Sequence, residues 1–122
     1  MSVTDLNSRS TALDAPDGSA LVKTKGSFYT ATLTGNITLD ATYPKTVKLD
    51  PGGSARDVTL DAIATNEGLQ RKIVNAADAA ENLVVKNAAG STIVTINQNE
   101  EADVYCDGAA WYLICVRTIA LS

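Results

Sequence analysis

The chain contains no histidine. Histidine is the side chain whose ordinary pKa lies nearest neutrality. Its absence removes Ser–His and Cys–His couples, His-ligated zinc and the easiest general base, so no catalytic residue is expected. Aromatics make up only 5% of the 122 residues, and the 45% apolar fraction is carried by Ala, Val, Leu and Ile. No apolar run approaches the ~20 residues of a membrane-spanning helix, and no membrane partner is expected. The opening "MSVTDLNSRS" has neither a basic head nor an apolar h-region, so no secretory signal is expected and the chain is expected to stay in the cytosol that made it. Basic residues number 10 against 14 acidic ones, for a net charge of -4. An acidic chain gains little from releasing the counterions of a phosphate backbone, which argues against nucleic acid as a partner.

The length suits a single domain, large enough to bury roughly two thirds of its unfolded surface without disulfide staples. Residues 1–20, "MSVTDLNSRSTALDAPDGSA", show no sustained periodicity and are rich in Ser, Thr, Asp and Ala. They are expected to form a flexible N-terminal arm. Isolated apolar side chains at Val3, Leu6 and Leu13 are its candidate contacts with a partner. Fully extended, an arm of about 19 residues reaches roughly 60 Å.

From residue 21 to 122 the chain keeps a rhythm. Short runs rich in Val, Ile, Leu and Thr end on Asp or Asn: "NITLD" at Asp40, "TVKLD" at Asp50, "DVTLD" at Asp61, "KIVN" at Asn75, "LVVKN" at Asn87, "IVTIN" at Asn97 and "DVYCD" at Asp107. Such side chains fold back onto the following backbone and start turns. Short strands at this spacing predict an all-β domain: a single antiparallel β-sandwich, jelly-roll-like, over residues 21–122. "NAADAAEN" (75–82) is too short for a stable helix and predicts at most a helical turn in a loop. "TVKLD" and "DVTLD" alternate apolar and polar, as strands with one wet face do. "LVVK", "TIVTI" and "WYLICV" are apolar on both faces and need cover from a second layer or another copy of the chain.

The two cysteines, Cys106 and Cys115, lie in the last such region. A hairpin centred on Gly108-Ala109 pairs Cys106 with Trp111 and Tyr105 with Tyr112. Cys115 then falls on the same face as Cys106, opposite Ala102. Four strand steps, about 13 Å, separate the thiols, too far for the ~7 Å limit of a disulfide. Two thiols without histidine make a poor zinc site. Neighbouring Glu100, Glu101, Asp103 and Asp107 favour the protonated thiol, so both cysteines are expected to be buried packing groups. Asp50, Asp57 and Asp61 surround a Gly-Gly loop but lack an EF-hand spacing, and turn chemistry is the expected role. Neither metal nor cofactor is expected.

The stretch from Asp57 to Val116 resembles a module of tailed-bacteriophage structural proteins, especially small head-decoration proteins and fibre domains. The likeness rests on "GLQRKIVNAADAAENLVVKNAAGSTIVTI", the acidic "NEEADVYCDG", and the turn Cys106-Asp107-Gly108-Ala109-Ala110-Trp111. It implies an all-β, trimeric virion component that sits on the outside of an expanded capsid and clamps its major capsid protein. Short length and the polar arm favour decoration over a receptor- or glycan-binding fibre or tail domain, which is the alternative. Val3, Leu6 and Leu13 are then the expected capsid contacts. Trp111, Tyr112, Ile114 and Val116 are assigned to the subunit interface or the core.

Overall fold

A computed structural model describes residues 27–63 and 66–120. The arm of residues 1–20, with Val3, Leu6 and Leu13, lies outside the described residues. Among the described residues there are nine strands: β1 (Phe28–Thr32), β2 (Ile37–Leu39), β3 (Thr46–Asp50), β4 (Arg56–Leu60), β5 (Gln70–Asn75), β6 (Leu83–Lys86), β7 (Thr92–Ile96), β8 (Glu100–Cys106) and β9 (Trp111–Thr118). They form two sheets, one of five strands in the order β9-β8-β5-β3-β1 and one of four in the order β7-β6-β4-β2.

The sheets are mixed, which corrects the antiparallel, jelly-roll expectation. β1 pairs parallel with β3, and β3 with β5. In the second sheet β2 pairs parallel with β4, and β4 with β6. The chain therefore winds as a flattened coil of three turns, each turn giving one strand to each sheet. It then reverses. β7 runs antiparallel to β6, β8 antiparallel to β5, and β9 antiparallel to β8. Short strands joined by polar turns fit a hairpin meander or a coil equally well, so the spacing alone left the direction of pairing open. Stacking decides it, because the coil places like residues in register. Ile37 lies beside Val58 and Val58 beside Val85, while Leu39 lies beside Leu60. In the other sheet Tyr29, Val47 and Ile73 form a continuous row.

Alternation places one side of each strand in a shared core. Val47 and Leu49 of β3, Val58 and Leu60 of β4, and Leu83 and Val85 of β6 are fully buried. Each such side chain contributes roughly 1.5–3 kcal/mol by leaving water. The Asx rhythm works as the sequence implies. Asp40 Oδ1 accepts from the Thr42 amide at 2.9 Å, Asp50 Oδ1 from Gly52 at 2.9 Å, Asn87 Oδ1 from Ser91 at 2.9 Å, and Asp107 Oδ1 from Ala109 at 2.7 Å. At Gly52 φ is +76°, and a Cβ there would collide with the Leu33 carbonyl oxygen, so the turn after β3 needs glycine.

Segment 75–82 forms no helical turn. It is a loop tied down by Asn75, which is fully buried. The Asn75 amide nitrogen donates to the carbonyls of Glu81 (2.8 Å) and Ile96 (2.9 Å), and its Oδ1 accepts from the Ala77 amide at 2.9 Å. One side chain thus joins the end of β5 to the β5–β6 loop and to β7. We predict that Asn75→Ala lowers stability by about 3 kcal/mol, because three buried backbone groups lose their partner. Urea denaturation followed by circular dichroism measures this; a loss no larger than that of a surface substitution would disprove the role.

Candidate assembly surface

At one end β7 of the smaller sheet comes close to both β8 and β9 of the larger, and among the described residues the larger sheet has one strand more. β9 is the edge strand of the larger sheet. Residues paired across an antiparallel ladder share a face. Trp111 lies opposite Cys106, Leu113 opposite Val104 and Val116 opposite Ala102. Cys106, Val104 and Ala102 are fully buried, so Trp111, Leu113 and Val116 point to the core side. Trp111 is only 6% exposed, yet Leu113 is 39% and Val116 41% exposed. The core side of β9 thus runs from cover at Trp111 out to an exposed apolar ledge at Leu113 and Val116. Ile114, at 49% exposure, is an extra residue in the ladder, a β-bulge between Leu113 and Cys115. A second bulge at Ile93 interrupts the pairing of β7 with β6.

The four interface-or-core residues therefore divide. Trp111 belongs to the core, and its indole nitrogen donates to the Asp61 carbonyl at 2.9 Å. Tyr112 points to the outer face, against Tyr105 with ring centroids 5.5 Å apart. Ile114 and Val116 are exposed, and Leu113, not singled out from the sequence, joins them on the ledge. The Cys106–Trp111 and Tyr105–Tyr112 register is as expected. Beyond Leu113 the bulge turns the strand over. Cys115 pairs with Asp103 rather than Ala102 and lies on the outer face, which corrects its assignment as a buried packing group. Both cysteines are free, and only Cys106 is buried.

Below Tyr105 and Tyr112 the outer face carries a compact ionic group. Lys72 meets Glu101 at 3.2 Å and Asp103 at 3.1 Å; Arg117 meets Glu101 at 2.5 Å and Asp103 at 2.9 Å. Arg117 also donates to Cys115 Sγ at 2.8 Å. Two cations and two carboxylates leave the group neutral. Partial burial pushes the Asp103 carboxyl up, but hydrogen bonds and charge from Lys72 and Arg117 outweigh it and hold the pKa below the ordinary 3.8.

The remaining features are smaller. Of the three aspartates weighed for calcium, Asp57 pairs with Lys86 at 3.1 Å. Asp50 instead converges with Asp78 and Glu81, their carboxylate oxygens within 4.8 Å of one another. Beside Trp111 a cavity of about 270 Å³ is lined chiefly by alanines, among them Ala62, Ala88 and Ala110.

A carboxylate whose pKa falls on folding adds stability above its unfolded pKa and loses it as pH drops through the folded value. We predict that Asp103→Asn is less stable than the native chain at neutral pH. The gap should close as pH falls below 3.8, read as converging urea midpoints. A gap that persists unchanged into strong acid would disprove the ionic role of Asp103.

No family model, curated protein or solved structure matches this chain, so a functional reading rests on the geometry of β9 and its surroundings together with the resemblance of the C-terminal turn.

Proposed function

We propose that this is a decoration protein of a tailed-bacteriophage capsid, a homotrimer that binds the outside of the expanded shell and stabilises it. The observation that carries the reading is the uncovered apolar side of β9. A row of Leu113, Ile114 and Val116 facing water is a surface for assembly. The Cys106–Trp111 turn that feeds β9 is the same stretch that resembles the phage module. The mechanism in this reading is mechanical. Each copy buries surface across the boundary between capsid subunits, and three linked copies hold far more firmly than one. Val3, Leu6 and Leu13 are the proposed contacts with the major capsid protein.

The alternative, a receptor- or glycan-binding domain of a fibre or tail, draws support from the alanine-lined cavity beside Trp111. Apolar walls next to an indole suit a ligand with an apolar face.

The two readings differ in what the purified protein binds. We predict that it saturates expanded heads built from the cognate major capsid protein and raises their melting temperature. Deleting residues 2–18 should weaken head binding by about tenfold or more, through loss of several cooperating contacts, with little change in the melting of the free protein. No binding to expanded heads would overturn the decoration reading, and equal binding by the truncated chain would overturn the role of Val3, Leu6 and Leu13.

A further inference from the structure

We propose that Asp50, Asp78 and Glu81 form a calcium-binding site that fastens the β5–β6 loop to the end of β3. The inference is independent of the decoration reading, because it concerns the charges of one loop within a single chain.

The coil assembles the site. Asp50 is the last residue of β3, and the chain passes back beside it after β5. The Ala76 amide donates to the Leu49 carbonyl at 2.8 Å, which brings the 75–82 loop to the end of β3. The buried Asn75 side chain then holds that loop, accepting from the Ala77 amide and donating to the Glu81 carbonyl. Three carboxylates from two distant segments thereby meet, each giving an oxygen within 4.8 Å of the others.

No cation of the described residues neutralises them. The ion pairs there join Lys72 and Arg117 to Glu101 and Asp103, and Lys86 to Asp57. The group on the outer face thus has two cations for two carboxylates, whereas this one has three carboxylates and no cation. Like charges this close repel, so the arrangement needs positive charge from outside the chain.

A second observation does not depend on counting acids. Among the described residues only two buried side-chain polar atoms lack a hydrogen bond, Arg71 Nε and Glu81 Oε1. Arg71 is still held through its other two nitrogens, which donate to the carbonyls of Pro44 and Asp40. Glu81 Oε1 has nothing comparable. A carboxylate oxygen shut away from water without a donor loses its hydration with no return. Asp50 and Asp78 are acceptors themselves when ionised, so no hydrogen bond within the group satisfies Glu81. A metal cation does.

Donor chemistry selects the ion. All three ligands are hard oxygens, with no nitrogen or sulfur among them, which suits Ca²⁺ rather than Zn²⁺ or Cu²⁺. Oxygens that each lie about 2.3–2.6 Å from one Ca²⁺ stand at most about 5 Å apart, and the three carboxylates meet that limit. Calcium also accepts ligands from loops and fills the rest of its shell with carbonyl oxygens and water. Asp78 is exposed while Asp50 and Glu81 are half-buried, so the ion has a way in from the Asp78 side.

Titration calorimetry of the full chain with calcium chloride, after removal of metal by EDTA, tests this. The native protein should bind one ion per chain with a Kd on the order of 10⁻⁴–10⁻³ M. Millimolar calcium should raise its melting temperature by several degrees more than sodium chloride of equal ionic strength does. Glu81→Gln keeps the shape of the side chain and removes its charge. It should weaken calcium binding by about tenfold or more, yet melt no lower than the native protein in EDTA, because one of three mutually repelling charges has gone. Asp78→Asn, at the surface, should behave in the same way and serves where Glu81→Gln fails to fold. Glu67→Gln, at an exposed carboxylate elsewhere, should keep the full response. A native chain that calcium stabilises no more than sodium chloride does would overturn the proposal. Undiminished calcium binding by Asp78→Asn would overturn it as well. So would a lower melting temperature of Asp78→Asn in EDTA, since the carboxylate would then stabilise the metal-free fold.

Discussion

Two facing sheets protect one another only where both have strands. That constraint organises the molecule. Three turns of coil supply matched strands, and the reversal at β6–β7 supplies a fourth matched pair, β7 with β8. The chain then makes one further hairpin, and β9 becomes the edge strand of the larger sheet, close to the edge strand β7 of the smaller. From Trp111, still under cover, to Val116, the core side of this strand passes from the protein interior into water. Its composition does not change along the way. A strand that continues with interior residues outside the interior is the physical basis for reading this protein as one that assembles.

The coil depends on its turns. Parallel stacking requires each turn to bring the chain back to the same height, so that apolar residues fall above apolar residues. Asp40, Asp50 and Asn87 accomplish this locally, each by accepting a hydrogen bond from a nearby amide. Asn75 does so over a longer distance, reaching the Ile96 carbonyl across the layer. Parallel turns leave the end of a coil exposed, and here the antiparallel β8–β9 hairpin covers the β5 end of the larger sheet.

The outer face of the same hairpin behaves differently. Lys72, Glu101, Asp103 and Arg117 satisfy one another, and Tyr105 lies against Tyr112. One face of β9 is thus complete within the chain while the other is not. The bulge at Ile114 makes this division possible, since it reverses the alternation, bringing Cys115 and Arg117 to the charged side and Val116 to the apolar one.

Some of this was legible in the residues alone. The strand rhythm, the turn role of the Asp and Asn residues and the Cys106–Trp111 register are local, set by side chains within a few positions of one another. The need of "WYLICV" for cover was legible too, because alternation along a strand decides how many of its faces are apolar. Direction of pairing was not, since a coil and a meander share the same short strands and polar turns, and stacking of residues 18 or more positions apart chooses between them. Nor was the place of Cys115 and Val116, because a single bulged residue exchanges the faces of everything after it and leaves no mark in the composition. The sequence by itself determined which segments extend, where they turn and that the last of them is too apolar to stand alone. Only the tertiary structure decided that cover on the core side of β9 holds at Trp111 and fails at Leu113 and Val116, because a strand's cover is supplied by the opposite sheet and not by its own residues.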